Sequence, residues 1–132
     1  IANVIAEGIA PADIGILARR HDLLDAVERS LRTRGIRSQN LKGTALKQWS
    51  ADSVKLTTLH ASKGLEFHTV AIVGLDAVPD PRQTADEEWR LLYVAMTRAT
   101  HRLVLSGCGN SVAVGKVESA LGRGAAAARA TD

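Results

Sequence analysis

The stretch TVAIVGL, Thr69 to Leu75, narrows the fold more than any other part of the chain. Its apolar residues fall on both alternating sets, so a strand built from it has no wet face. Such a strand belongs inside a parallel sheet, with helices covering both sides. The flanking sequence agrees. DIGILAR, Asp13 to Arg19, is apolar with β-branched content and reads as a second buried strand. IRSQNL, VKLTTLH (Val54 to His60) and HRLVLSG (His101 to Gly107) read as further strands. Between the first two, Leu24, Val27 and Leu31 recur at helical spacing and Leu23 widens the stripe. Asp22 is placed to cap that helix and Gly35 to end it. TADE, with Thr84 and Glu87 in reciprocal positions, is a capping box. Beyond it Trp89, Leu92, Tyr93 and Met96 mark one face and Leu91 and Val94 a second, so this helix packs on two sides. SVAVGKVESALG reads as a closing helix and IANVIAEGIAP as a short opening one.

Strands that alternate with helices or long connections predict an α/β layer fold with a mostly parallel sheet. Sites in such sheets lie past the carboxyl ends of the strands. ASKGLEF and the arginine of TRA are expected to reach that edge. Residues 1–120 are read as the domain and 121–132 as a low-complexity tail. A chain of 132 residues suits one domain with a real core, not two. Aromatics make up only 3%, so Leu, Val, Ile and Ala must build that core. The net charge of +3 permits a polyanionic partner without requiring one. One cysteine, Cys108, excludes an internal disulfide and a cysteine metal cluster. No apolar run approaches membrane-spanning length, and the start has no signal-peptide pattern. The chain also lacks an initiating Met, so it reads as part of a longer protein.

Self-sufficient phosphate chemistry finds little support. GNSVAVGKV, Gly109 to Val117, imitates a phosphate-binding loop and fails twice. Its glycines stand one residue too far apart, and Val117 occupies the place of the magnesium-binding hydroxyl. His21, His60, His68 and His101 show no metal-ligand spacing. His60 reads as a local cap or as a nucleic-acid contact. Asp86, Glu87 and Glu88 fit helix-start electrostatics. Arg29, Arg32, Arg34 and Arg37 fit a solvated face. Trp49, in a polar connection, either stacks on a base or plugs the core. Arg98 stands apart. A guanidinium stays charged and grips phosphate oxygens with paired hydrogen bonds. Composition alone leaves open whether it does so here or ends a helix.

Three segments in order carry a family resemblance: DIGILARR (Asp13 to Arg20), VKLTTLHASKGLEFHTVAIVGL (Val54 to Leu75) and EEWRLLYVAMTRATHRLVL (Glu87 to Leu105). The chain resembles the C-terminal motor domain of superfamily 1 DNA helicases of the UvrD/Rep/PcrA type, the latter two segments being similar to helicase motifs V and VI. The resemblance implies a three-layer RecA-like P-loop NTPase fold lacking its own Walker A loop and the large insertion usual before motif V. It implies that Arg98 contacts the γ-phosphate of ATP and Glu66 the ribose, beside the turn at Gly64. It places Thr58 and His60 near a single-stranded DNA track, and gives Ser62 and Lys63 the coupling of the two sites. Arg19 resembles a basic residue at a strand end on the nucleotide side, and Tyr93 a packing residue. ATP and Mg²⁺ would be bound mainly by an N-terminal RecA-like domain, so the isolated fragment should not hydrolyse ATP. Translocation would run 3′ to 5′, in the bacterial cytoplasm at the nucleoid, alongside repair or recombination proteins. Two other readings are a non-catalytic helicase-like binding module and part of a RecB/AddA-like helicase–nuclease.

Overall fold

The computed structural model describes residues 1–42 and 48–122. The remaining stretches, part of the KGTALKQWSADS connection and most of the tail, lie outside the described residues. In chain order the elements are α1 (Ala2–Ala6), β1 (Ile14–Ala18), α2 (His21–Thr33), β2 (Ser38–Asn40), β3 (Val54–Thr58), β4 (Phe67–Val73), α3 (Ala85–Met96), β5 (Ala99–Leu105) and α4 (Val112–Leu121). The five strands form one sheet in the order β2-β3-β1-β4-β5. All four pairings are parallel. Leu17 of β1 sits between Thr57 of β3 and Ile72 of β4.

The sheet carries a core on each face, as the double-sided pattern of β4 requires. On one face Ile14, Ile16, Val54, Leu56 and Ala71 meet Val4 of α1 and Leu24 and Leu31 of α2. On the other, Leu17, Phe67, Val70 and Ile72 meet Leu92 and Ala95 of α3 and Ala113 of α4. β1 is buried along its whole length. β5 is not: its middle five residues are exposed, and it stands at the edge of the described sheet. Packing across the second face is close. A Cβ built on Gly15 would stand 2.6 Å from the Phe67 ring, so β1 needs glycine where that ring crosses it.

The connection between β3 and β4 is unusual. It passes over β1 in eight residues, 59–66, with only a 3₁₀ turn at His60–Ser62. Parallel crossovers ordinarily take about a dozen residues or more, usually with a helix. Here the chain lies flat on the sheet, with Leu59 buried and Leu65 packed against the same core. The strand that VKLTTLH predicts therefore stops at Thr58, and His60 belongs to the turn.

Helix ends follow the sequence in part. Thr84 caps α3, its hydroxyl accepting from the Glu87 N–H at 3.4 Å. Ser111 caps α4 in the same way. Gly35, at φ +70°, follows α2 as expected. Asp22 is not the cap of α2: Arg20 holds that position with no side-chain cap, and Asp22 sits in the first turn. The Arg20 guanidinium takes both Asp22 carboxylate oxygens, which removes the acceptor a cap would use.

Candidate functional site

The residues singled out from the sequence divide between the two edges of the sheet. At the carboxyl edge, Thr58 ends β3 opposite Ala18, the last residue of β1. Its hydroxyl accepts from the Ala61 N–H at 3.2 Å, which fixes the turn that follows. His60 is exposed on that turn. Ser62 is fully buried, and its hydroxyl donates to the Leu59 carbonyl at 2.7 Å. Its side chain thus holds the turn from inside. Lys63 and Gly64 are exposed beyond it, and Gly64 at φ +78° makes the bend that only glycine adopts at low cost.

Glu66 and Arg98 stand at the opposite edge. Glu66 immediately precedes the first residue of β4, and Arg98 the first residue of β5. The Phe67 N–H donates to the Arg98 carbonyl at 2.9 Å, so the two positions are joined through the start of the ladder. This corrects the expectation that ASKGLEF and TRA meet past the carboxyl ends. Helix α3 runs back from the carboxyl edge, so the arginine at its far end arrives at the amino edge. Glu66 is exposed and Arg98 half-buried. The guanidinium donates to the Val94 carbonyl at 3.1 Å, the Leu65 carbonyl at 3.4 Å and the Thr97 hydroxyl at 3.3 Å. All three acceptors are neutral. They aim the group without cancelling its charge, as an arginine kept for an anion requires.

Arg19 lies at the carboxyl edge of β1, away from Arg98 and Glu66. Its Nε and Nη2 donate to the Glu88 carboxylate at 2.9 and 3.0 Å. Its Nη2 also stands 3.6 Å from Asp80. Glu88 is 2% exposed and accepts in addition from the Asp80 N–H at 2.9 Å. Burial alone would raise its pKa, but the Arg19 and Asp80 hydrogen bonds outweigh that and hold it below its ordinary value. Asp80 is lowered further, well under the usual carboxylate range, chiefly by hydrogen bonds from the Arg82 side chain and amide. Helix-start electrostatics therefore do not account for Glu88. It is the anchor that ties α3 to β1. The signal was present: Glu88, Leu92 and Ala95 fall on one buried stripe of α3. Tyr93 is also corrected. It is 68% exposed, because the buried stripe passes beside it.

Two features had no counterpart in the sequence reading. Lys55, fully buried on β3, lies where strand alternation suggests a wet face. Burial lowers its pKa. His68 and His101, which show no metal-ligand spacing in the sequence, stack at 4.4 Å across β4 and β5. The arginines 29, 32, 34 and 37 are exposed, in keeping with a solvated face. Among the described residues no helix is long and apolar enough to cross a membrane.

Comparison with known proteins fits this arrangement. The model of the UvrD-like helicase C-terminal domain matches residues 25–110. The ATP-dependent DNA helicase Rep of Escherichia coli is 48% identical over 63 residues, 43% of this chain and 9% of that protein. DNA helicase II of the same organism is 45% identical over 62 residues, 42% of this chain and 9% of that protein. The chain thus spans about a tenth of the length of these relatives. Among solved structures, the C-terminal domain of a possible DNA helicase from Lactobacillus plantarum superposes with a TM-score of 0.68 at 26% identity, covering 91% of this chain and 70% of that one. With a match over most of its length, the same fold and the same ordered segments, the chain belongs to the family of UvrD-like helicase C-terminal domains.

Proposed function

We propose that this domain is the second motor half of an ATP-dependent DNA helicase or translocase, and that it completes a nucleotide cleft formed with a preceding RecA-like domain. Arg98 contacts the γ-phosphate and stabilises charge on it as the terminal bond breaks. Glu66 accepts from a ribose hydroxyl, and the bend at Gly64 sets its approach. Thr58, His60, Ser62 and Lys63 form or shape the contact with single-stranded DNA. Arg19, with its donors on Glu88 and Asp80 within ion-pair reach, fixes the start of α3 and so the helix that delivers Arg98, acting on the nucleotide side at one remove.

One observation carries this reading. The short connection 59–66 runs from the edge that holds Thr58 and His60 to the edge that holds Glu66, and the Arg98 guanidinium hydrogen-bonds the Leu65 carbonyl at its end. A shift of the arginine towards a phosphate pulls on a segment whose other end meets DNA. Nucleotide-driven closure is then felt as a change of grip on the strand. Rep is described as an ATP-dependent DNA helicase and DNA helicase II as a DNA helicase, which supports the same assignment. A guanidinium and neighbouring backbone suit phosphate oxygens rather than a divalent cation. Magnesium accordingly enters with the nucleotide, its protein ligands supplied by the other motor domain. By the same likeness the motor moves 3′ to 5′ and the isolated domain does not turn over ATP.

The test is Arg98→Ala in the full-length protein. An arginine placed on a transferring phosphoryl group accounts for about a thousandfold or more in turnover. DNA-stimulated hydrolysis should fall by that order while single-stranded DNA affinity changes little. Hydrolysis equal to the parent protein removes Arg98 from the cleft and this reading with it.

A further inference from the structure

The end of α2 and the entry to β2 carry four arginines, 29, 32, 34 and 37, that the reading above does not use. Cations at a helix C-terminus often serve its free carbonyls. Here those carbonyls are already taken. The Thr33 hydroxyl donates to the Ser30 carbonyl at 2.8 Å. The Arg34 and Ile36 N–H groups donate to the Leu31 carbonyl at 3.0 and 2.9 Å, and the Gly35 N–H to the Arg32 carbonyl at 3.0 Å. Gly35, at φ +70°, makes this closure possible. The helix end is thus complete without an arginine side chain. Among the described residues the only ion pair of the four is Arg32 with Glu28, at 3.6 Å.

Two of the four share a hollow. An open depression of about 390 Å³ lies where the end of α2 meets the starts of β2 and β3, and Arg32 and Arg37 both line it. Arg37 immediately precedes β2 and is held by the ladder, the Val54 N–H donating to its carbonyl at 3.0 Å. Ser38 adds a half-buried hydroxyl to the wall. Glu28 is the one carboxylate there, and it already faces Arg32. Ile36 is the one apolar side chain, so a peptide finds no apolar anchor. Two forked cations and a hydroxyl are instead the donor set that holds phosphate oxygens. Arg29 stands three residues before Arg32, about 5–6 Å away on the helix surface, and carries the positive charge beyond the hollow. Charge spread in this way suits a chain of phosphates better than a single one.

The hollow is separate from both sites described above. It opens at the start of β2, four strand steps from the start of β5 where Arg98 stands, about 19 Å at the usual spacing. Thr58 and His60 lie at the other end of the strands. We propose that Arg32 and Arg37, with Ser38, bind backbone phosphates of DNA that continues beyond the single-stranded track, and that Arg29 and Arg34 add to the same surface. The proposal rests on the reading that the domain works on DNA. Contacts to the backbone alone make the site indifferent to sequence.

The experiment uses the full-length protein and compares the parent with Arg32→Gln/Arg37→Gln and Arg32→Lys/Arg37→Lys. Dissociation constants are measured by fluorescence anisotropy over a series of salt concentrations. The probes are the shortest single strand that fully stimulates ATP turnover, a long single strand, and the short strand joined to a duplex. Loss of two phosphate contacts lowers the slope of log affinity against log salt by about 1.4 on a single strand or about 1.8 on a duplex, and weakens binding about tenfold or more near 0.1 M salt. The Gln pair should show this on one or both longer probes, and the probe that responds identifies the source of the phosphates. The Gln pair should bind the short strand as the parent does and keep the turnover it stimulates, which also shows that the variant is folded. The Lys pair should keep most of the slope, since a point charge still displaces counterions. Parent-like slope and affinity of the Gln pair on both longer probes overturn the site. An equal loss on the short strand overturns it too, by placing the arginines on the track. Poly-glutamate that binds the parent as tightly as the longer probes, and the Gln pair no longer, assigns the hollow to an acidic protein segment and overturns the proposal. A parent that binds no DNA removes the underlying reading and the site together. A parent that binds all three probes, with a Gln pair that matches it, removes the site alone.

Discussion

Replacing Arg19 with Met tests how α3 is held to the sheet. In the parent chain the Glu88 carboxylate is buried and receives three hydrogen bonds from Arg19, at 2.9, 3.0 and 3.2 Å, and one from the Asp80 amide. Met keeps most of the volume and removes the charge. Glu88 is then a buried carboxylate with one amide donor. Breaking a buried pair from one side costs about 3–5 kcal/mol. The retained amide and the 12% exposure of Arg19 put the expectation near the lower figure, about 3 kcal/mol. With a urea dependence of about 2 kcal/mol per molar, the midpoint falls by about 1.5 M. Urea titration followed by circular dichroism reads this directly. The pH dependence gives an independent check. In the parent the folded Glu88 pKa is lowered from 4.5, so its stabilisation is complete above that value and is lost as pH falls through the folded pKa. In the variant only the Asp80 amide still opposes the desolvation, and the folded pKa is expected to rise above the unfolded one. The variant therefore loses stability as pH rises through that window, and the gap between the two proteins narrows on acidification. Adding Glu88→Leu to Arg19→Met should recover much of the loss, since the unpaired charge is gone. A single variant within about 0.5 kcal/mol of the parent, or a double variant no better than the single, refutes the reasoning.

Gly15→Ala should destabilise by about 1–3 kcal/mol, because the new methyl meets the Phe67 ring 2.6 Å away, and a denaturant midpoint checks it. Tyr93→Ala should change stability by less than about 0.5 kcal/mol, since the ring is mostly in water, and thermal melting of the domain decides this. The folded Lys55 pKa is lowered from 10.5, so the unfolded chain binds more protons between the two values and parent stability rises with pH through that window. Lys55→Met should lack that rise, a difference visible in urea midpoints taken at successive alkaline pH values.

Elements with one dominant local cause are legible in the sequence. The run Thr69–Leu75 announces a strand covered on both faces, and Gly35 and Thr84 mark helix ends by backbone and hydroxyl chemistry that acts within a few residues. Features that depend on distant partners are not. Glu88 sits among acids suited to a helix start, and although it shares a stripe with Leu92 and Ala95, its partner Arg19 lies 69 positions earlier. Lys55 reads as the wet side of an alternating strand until the Trp49 ring meets its ammonium and Gln39 accepts from it. Arg98 and Glu66 were found as residues but assigned to the wrong edge, because the usual rule for parallel sheets concerns the strand end at which a loop leaves. Both precede their strands, so both belong to the edge at which the chain enters.

That entering edge bears on how the domain can transmit force. Had the conspicuous residues gathered past the carboxyl ends, a nucleotide and a DNA strand would compete for the same rim. Instead the sheet separates Thr58 and His60 from Glu66 and Arg98 by the length of a strand, and the 59–66 connection carries residues of both sets. It is short, pressed on the core through Leu59 and Leu65, and pinned from within by Ser62. A long flexible crossover would absorb a displacement at one end. One this short and this tightly packed passes it on, because its buried residues cannot shift without opening the core beneath them. Arg19 and Glu88 complete the linkage from the other side. They fix the start of α3 at the carboxyl edge, so the helix that ends at Arg98 moves with β1 rather than against it. The two arginines thus differ in kind. Arg19 is paired with a buried carboxylate, whereas Arg98 meets only neutral acceptors.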